Sequence, residues 1–344
     1  MSKIRTVLGD IRPEEAGITF THEHILYANE GNDFDRKAAF DFDAVADEVA
    51  ATMRAGIDKY GVKTMIDMTP CEMGRHPRLI REVAKRSGLQ ILAITGFFPE
   101  LVGIPFHWRV QSIDYIRDHF MSDILEGMSS GFDATDIKAG AIKIATGSAE
   151  YTGHPSPEGP SGTHMTYHEE RVVRAAGRAQ ARLGCCINTH TDPGDYSTRN
   201  PGLEQLDILE EEGADLTKVI VGHALLDPHI DQMLDICKRG ASLQVDHIGI
   251  PWRAPSAEEF DEAMANAVCE LVEAVYLDRL VFTYDRFFHH CRGPVTEDEP
   301  EMPNEKVEFG YMFESFLPRL AKKGFTDEEI DTVLVKNPQR LLAF

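Results

Sequence analysis

The sequence predicts an α/β fold on three grounds: β-rich runs alternate with helical segments, there are eight such runs, and no dinucleotide fingerprint follows the first. The runs are Gly17–Ile25, Thr64–Thr69, Ile91–Phe98, Ala139–Thr146, Cys185–Thr191, Val219–Ala224, Ala241–Ile248 and Leu280–Asp285. The stretches between them are long enough to hold a helix, so consecutive strands are expected to lie parallel. Eight parallel strands close a (β/α)8 TIM barrel, and 344 residues lie within that fold's range. An open doubly wound sheet is the alternative, but no Gly-x-Gly-x-x-Gly follows the first run to support it.

Each connecting segment has its own signature. In Thr166–Gly184, residues Val172, Ala176, Ala179 and Leu183 share one helical face; in Asp227–Gly240, Ile230, Leu234 and Cys237 do the same. Gly61, Gly88, Gly184, Gly213 and Gly240 stand where helices should stop before the next strand. Gly147, Gly153, Gly159 and Gly162, with Pro155, Pro157 and Pro160, read as a loop rather than a domain linker. The expectation is one barrel domain over residues 1–344.

Charge narrows the function. With 35 basic and 57 acidic residues the net charge is −22, and no basic patch interrupts it. Such a surface repels phosphate backbones and anionic lipid, so neither nucleic acid nor membrane is an expected partner. No run approaches the ~20 apolar residues of a membrane helix, and no signal peptide is expected at the start. The six cysteines contain no Cys-x-x-Cys pair, and adjacent Cys185 and Cys186 should point to opposite faces of a strand. A reduced, cytoplasmic protein is the expectation.

Of the 14 histidines, His76, His119, His168 and His229 fall in helical segments, and His107, His154, His164, His289 and His290 in loops, where solvated roles suffice. Four others stand at strand ends. His22 and His24 are two apart and share a face in an extended chain; His190 and His223 close the fifth and sixth runs. The C-terminal strand ends of a barrel converge on one face, where active sites of this fold lie. Lys143 is a charge inside the β-branched run Ala141-Ile-Lys-Ile, and Asp285 ends the apolar run Leu280-Val-Phe-Thr-Tyr. Each has a bland reading alone, as a snorkelling lysine or a helix cap. Four imidazoles and a carboxylate on one rim make a site for a borderline metal such as zinc, with room for two ions. A lysine ammonium among such ions must be displaced, neutral or modified.

At these positions the chain resembles the phosphotriesterase-related branch of the amidohydrolase superfamily, which holds phosphotriesterases and phosphotriesterase-like lactonases. The resemblance opens with Gly9-Asp-Ile-Arg-Pro-Glu-Glu-Ala-Gly-Ile-Thr-Phe-Thr-His-Glu-His. It continues through Ala139-Gly-Ala-Ile-Lys-Ile-Ala-Thr, Asn188-Thr-His-Thr, Gly202-Leu-Glu-Gln-Leu, Val221-Gly-His and Tyr284-Asp, to Asn337-Pro-Gln-Arg-Leu-Leu. It implies two divalent ions per chain, zinc first, with manganese, cobalt or iron as alternatives. By resemblance, His22, His24 and Asp285 bind the more buried ion, and His190 and His223 the more exposed one. Lys143 would carry a carbamate, as N6-carboxylysine, that bridges both. The implied reaction is hydrolysis by metal-activated hydroxide, with Asp285 as general base. No Gly-x-Ser-x-Gly elbow offers a protein nucleophile.

The implied substrate is a small molecule, a lactone or related carboxylic ester, with phosphotriesters as side substrates; a true phosphotriesterase or an N-acyl amide hydrolase is the alternative. Lactonases of the family carry Asp-Arg-Tyr where this chain has Asp246-His247-Ile248, which is more like phosphotriesterases. They also place a tyrosine after the third strand, where Gly96-Phe-Phe-Pro-Glu stands here. Phe98, Trp108, Trp252 and Phe287 are expected to wall an apolar pocket, with His247 or Arg253 meeting a polar substrate group. The working form is expected to be a homodimer. A non-catalytic barrel is the rival class, and it predicts a lost ligand or base; neither is missing from the sequence.

Overall fold

The computed structural model describes residues 2–149, 164–191, 199–252, 254–292 and 300–344. The Gly/Pro loop expected over 153–162 therefore lies outside the described residues. Eight strands alternate with helices: β1 Ile18–Ala28, β2 Val62–Asp67, β3 Gln90–Gly96, β4 Ala141–Thr146, β5 Cys186–Thr191, β6 Val219–Val221, β7 Ser242–Val245 and β8 Leu280–Phe282. Each pairs in parallel with the next, from β1 to β8. A ninth strand, β9 at Phe287–Cys291, pairs in parallel with the far half of β1. Between β8 and β9, Asp285 N–H donates to His22 O (3.0 Å) and His24 N–H to Arg286 O (2.8 Å). These bonds carry the ladder around to β1 and close the TIM barrel.

The outer helices are α1 Phe42–Tyr60, α2 Pro77–Ser87, α3 Ile113–Leu125, α4 Tyr167–Leu183, α5 Pro201–Glu211, α6 Ile230–Lys238 and α7 Ala257–Glu273. Their stops follow the sequence: Gly61, Gly88 and Gly184 adopt φ of 72°, 79° and 69° at the ends of α1, α2 and α4, a conformation glycine takes without steric cost. On α4, Val172, Ala176 and Ala179 are buried as expected. On α6 the inward face is Met233, Ile236 and Cys237; Ile230 and Leu234 sit at its edge.

Two layers fill the molecule. Phe20, Ile142 and Ile187 point outward from the strands and share one core layer with helix residues such as Val83 of α2. Ile66, Leu92, Ile94, Ala141, Cys186, Ile220 and Val281 point inward and are sealed from below by Ile4, Leu341 and Leu342. Cys185 and Cys186 do fall on opposite sides, and all six thiols are free. Lys3 and Phe344 exchange both backbone hydrogen bonds across this sealed end, which leaves the opposite, C-terminal rim for chemistry. Among the described residues no helix is long and apolar enough to cross a membrane.

Candidate metal centre

The first half of the rim is built by strand register. β4 and β5 place Lys143 opposite Asn188 and Ala145 opposite His190. Side chains two apart share a face, so Lys143, Asn188 and His190 all point into the barrel. On β1, His22 and His24 stand with ring centroids 5.4 Å apart. Lys143 Nζ lies 3.2 Å from His22 Nε2, and both side chains are buried. His24 Nδ1 is 2.8 Å from the Thr69 hydroxyl, which donates to Asp67 (2.7 Å). The hydroxyl must then accept from His24 Nδ1–H, which fixes the ring with Nε2 facing the site.

The second half is built by bent backbone. His223, His247 and Asp285 follow the ends of β6, β7 and β8, and have φ of 59°, 59° and 64°. Left-handed backbone costs a non-glycine residue about 1–3 kcal/mol, and here three ends repeat it. The turns are held by specific bonds. His223 N–H donates to Asp246 Oδ2 (2.8 Å), and Asp246 also faces the imidazoles of His223 (3.1 Å) and His247 (3.0 Å). Around Asp285, Glu23 accepts from Thr283 Oγ1 (2.8 Å), Tyr284 N–H (3.0 Å) and Arg286 N–H (2.7 Å), while Asn304 Nδ2 donates to Asp285 O (2.7 Å). The result aims the Asp285 carboxylate at three rings: His24 Nε2 at 3.1 Å, His247 Nε2 at 3.6 Å and His22 Nε2 at 3.7 Å.

The electrostatics follow from burial. Burial depresses the His22 and His190 imidazoles well below their ordinary value, and the neighbouring Lys143 and His223 add to it, so both rings are neutral. It also lowers Lys143 to about 8, against the pull of Asp285 and Asp246. Burial would raise the Asp246 and Asp285 carboxyls, but the imidazoles outweigh it and hold both below the carboxylate range. Burial pushes the Glu23 carboxyl up to about 8 against its three donors.

The neutral His22 and His190 rings beside the ionised Asp285 carboxylate offer the kind of donor set that divalent transition ions take. Ligand atoms of His22, His223 and Asp285 lie within 4.8 Å of one another, and so do those of His223, Asp246 and His247. His22 Nδ1 is buried without a hydrogen-bond partner. The residues therefore fit a metal centre. His190 joins through its ring, 4.4 Å from His223.

Above the imidazoles lies a cavity of about 220 Å³ whose lining includes Phe98, His247, Trp252 and Phe287, as the sequence suggested. Phe98 packs 4.8 Å from His190, and Phe287 stacks on Tyr27 at 4.1 Å. Trp108 is elsewhere: the short helix Phe106–Arg109 turns it outward onto His119 (4.2 Å) and Phe97 (5.4 Å), and it lines a separate depression. Arg253 lies outside the described residues. Sequence reasoning missed Glu23, Tyr27, Asp246 and Asn304. It also left His164 solvated, whereas His164 is buried against Glu204 at 3.0 Å. A carboxylate adjoining a strand-end histidine was the available signal for Asp246.

A closed parallel barrel with histidines, carboxylates and a buried lysine on its C-terminal rim defines the class: a TIM-barrel enzyme with residues that could hold metal. The model of the phosphotriesterase family matches residues 2–342. An aryldialkylphosphatase of Saccharolobus solfataricus is 27% identical, covering 97% of each chain. An N-acetyltaurine hydrolase of Tetraodon nigroviridis is 25% identical over 99% of this chain and 98% of its own. The solved organophosphorus hydrolase from Deinococcus radiodurans superposes with a TM-score of 0.83 at 28% identity, covering 99% of this chain and 96% of its own. The chain belongs to the phosphotriesterase family, and it is a hydrolase.

Proposed function

We propose that the chain is a binuclear metal-dependent hydrolase whose substrate is a lactone or related uncharged carboxylic ester, with phosphotriesters as side substrates. The observation that carries this reading is the convergence of His22, His24, Lys143, His190, His223 and Asp285 beneath one largely apolar cavity. His22, His24 and Asp285 would hold one ion, His190 and His223 the other, with zinc as first choice and manganese, cobalt or iron as alternatives. Two such ions, when bound, lower the pKa of a shared water and polarise the substrate oxygen.

The chain's own residues supply the rest. The depressed Lys143 amine can lose its proton near neutral pH and add to carbon dioxide: an N–C bond forms, a proton leaves, and the buried cation becomes an N6-carboxylysine anion. Asp285, ionised and 3.6 Å from His247 Nε2, is placed to take the proton released on attack and hand it outward through that imidazole. Phe98, Trp252 and Phe287 exclude water from the carbonyl.

The lining also separates the readings. N-acetyltaurine carries a sulfonate, which needs a cation, and no described residue lining the cavity is lysine or arginine. That favours an uncharged ester over such an amide. The same reading takes residues 1–344 as one domain and a cytoplasmic homodimer as the working form; the free thiols and the exposed Phe34 and Phe132 support these.

The test pairs elemental analysis of chelator-free protein with a kcat/KM panel of γ- and δ-lactones, paraoxon-like triesters, aryl esters and N-acyl amides. About two ions per chain and a lactone as best substrate are expected. Under half an ion after growth with added zinc or manganese defeats the metal reading. A triester or amide tenfold better than every lactone defeats the substrate assignment alone.

A further inference from the structure

We propose that Glu23 is a positioning residue for Asp285, fixing the left-handed turn that aims the Asp285 carboxylate into the site; this rests on the reading of Asp285 as ligand and base. Glu23 sits between His22 and His24 and is fully buried. Its two oxygens grip the peptide N–H groups on either side of Asp285, Tyr284 N–H at 3.0 Å and Arg286 N–H at 2.7 Å. The first oxygen also accepts from the Thr283 hydroxyl at 2.8 Å. Asp285 itself has φ 64°, a conformation that an aspartate leaves unless its surroundings hold it there.

Barrel closure does not require this grip. The backbone bonds Asp285 N–H to His22 O and His24 N–H to Arg286 O already join the two ends of the sheet. What Glu23 adds is orientation. With Tyr284 N–H and Arg286 N–H fixed to one carboxyl group, the Thr283–Tyr284 and Asp285–Arg286 peptide planes are held, while Asp285 N–H to His22 O holds the plane between them. The carboxylate then stays 3.1 Å from His24 and 3.6 Å from His247. The same three-residue segment of β1 thus carries two candidate ligands and the clamp for a third that is 262 residues away in sequence.

The experiment is a double-mutant cycle of Glu23→Gln and Asp285→Asn. Its readouts are kcat and KM on the best panel substrate, and the rate at which a chromogenic chelator strips zinc. Glutamine keeps the size but turns one acceptor into a donor that faces an N–H. Glu23→Gln should lower kcat by about 10–100-fold, the range for residues that orient a ligand, with KM within about threefold. It should also speed zinc loss by about tenfold. In the Asp285→Asn background both effects should fall below about threefold, because the group being aimed is gone. Equal losses in the two backgrounds overturn the proposal, since Glu23 then acts on the fold at large. If Asp285→Asn keeps full kcat at full occupancy, the base reading fails instead, and the zinc-loss cycle still decides the clamp. Should Glu23→Gln not fold, the same cycle with Glu23→Asp decides it: that variant keeps a carboxyl group but is too short to span both N–H groups.

Discussion

His22, His24, Lys143 and His190 stand within β1, β4 and β5, where strand alternation turns them inward. His223, His247 and Asp285 stand just beyond β6, β7 and β8 on left-handed backbone. The first group needs only a parallel register, which many hydrogen bonds share. The second needs a dedicated holder at each turn: Asp246 for His223 and His247, Glu23 and Asn304 for Asp285. One half of the rim is specified by repetition, the other by individual contacts. A strand-borne residue should therefore keep its aim when its neighbours are replaced, with Thr69 orienting only the ring of His24, whereas a turn-borne residue should also be sensitive to the replacement of its holder.

The largest effect is expected at the most buried member of the strand half. Lys143→Ala should drop metal below half an ion per chain and take kcat to background, and acetate or propionate should restore part of both by filling the vacated bridge. Full metal content with unchanged turnover, measured on one preparation, would reduce Lys143 to a structural role. Next is Asp285→Asn in the turn half, with kcat falling by ~10²–10⁴-fold, the range for a positioned acid or base. Metal content has to be read alongside, because the same carboxylate is a candidate ligand.

A holder should cost less than what it holds. Asp246→Asn removes the charge shared by His223 and His247 and should lower metal affinity or kcat by ~10–100-fold; an unchanged enzyme would mean the turns hold themselves. The smallest effect sharpens the comparison from outside the site. Val275 is exposed, β-branched and left-handed at φ 71°. Val275→Gly should relieve about 1–2 kcal/mol of strain, raise Tm by about 2–4 °C and leave kcat alone. His247→Gly should relieve comparable strain and lose activity. If Val275→Gly does not stabilise the protein, left-handed φ is not a cost in this chain, and the argument for dedicated holders weakens.

By itself the sequence determined the alternation of eight strands and helices, the helix stops at Gly61, Gly88 and Gly184, and the shared face of His22 and His24. These follow from periods of 2 and 3.6 residues and from glycine's freedom at positive φ, all of which are local. It also marked His223 and Asp285 as strand-end residues, because each closes an apolar run. Only the tertiary structure decided that Glu23 clamps residues 283–286, that Asp246 serves two rings at once, and that Trp108 faces away from the cavity. Those outcomes depend on contacts between distant strands and on backbone bends at histidine and aspartate, residue types that tolerate φ near 60° without marking where the chain uses it. Periodicity records which face a side chain takes; only the closed barrel determines what it meets there.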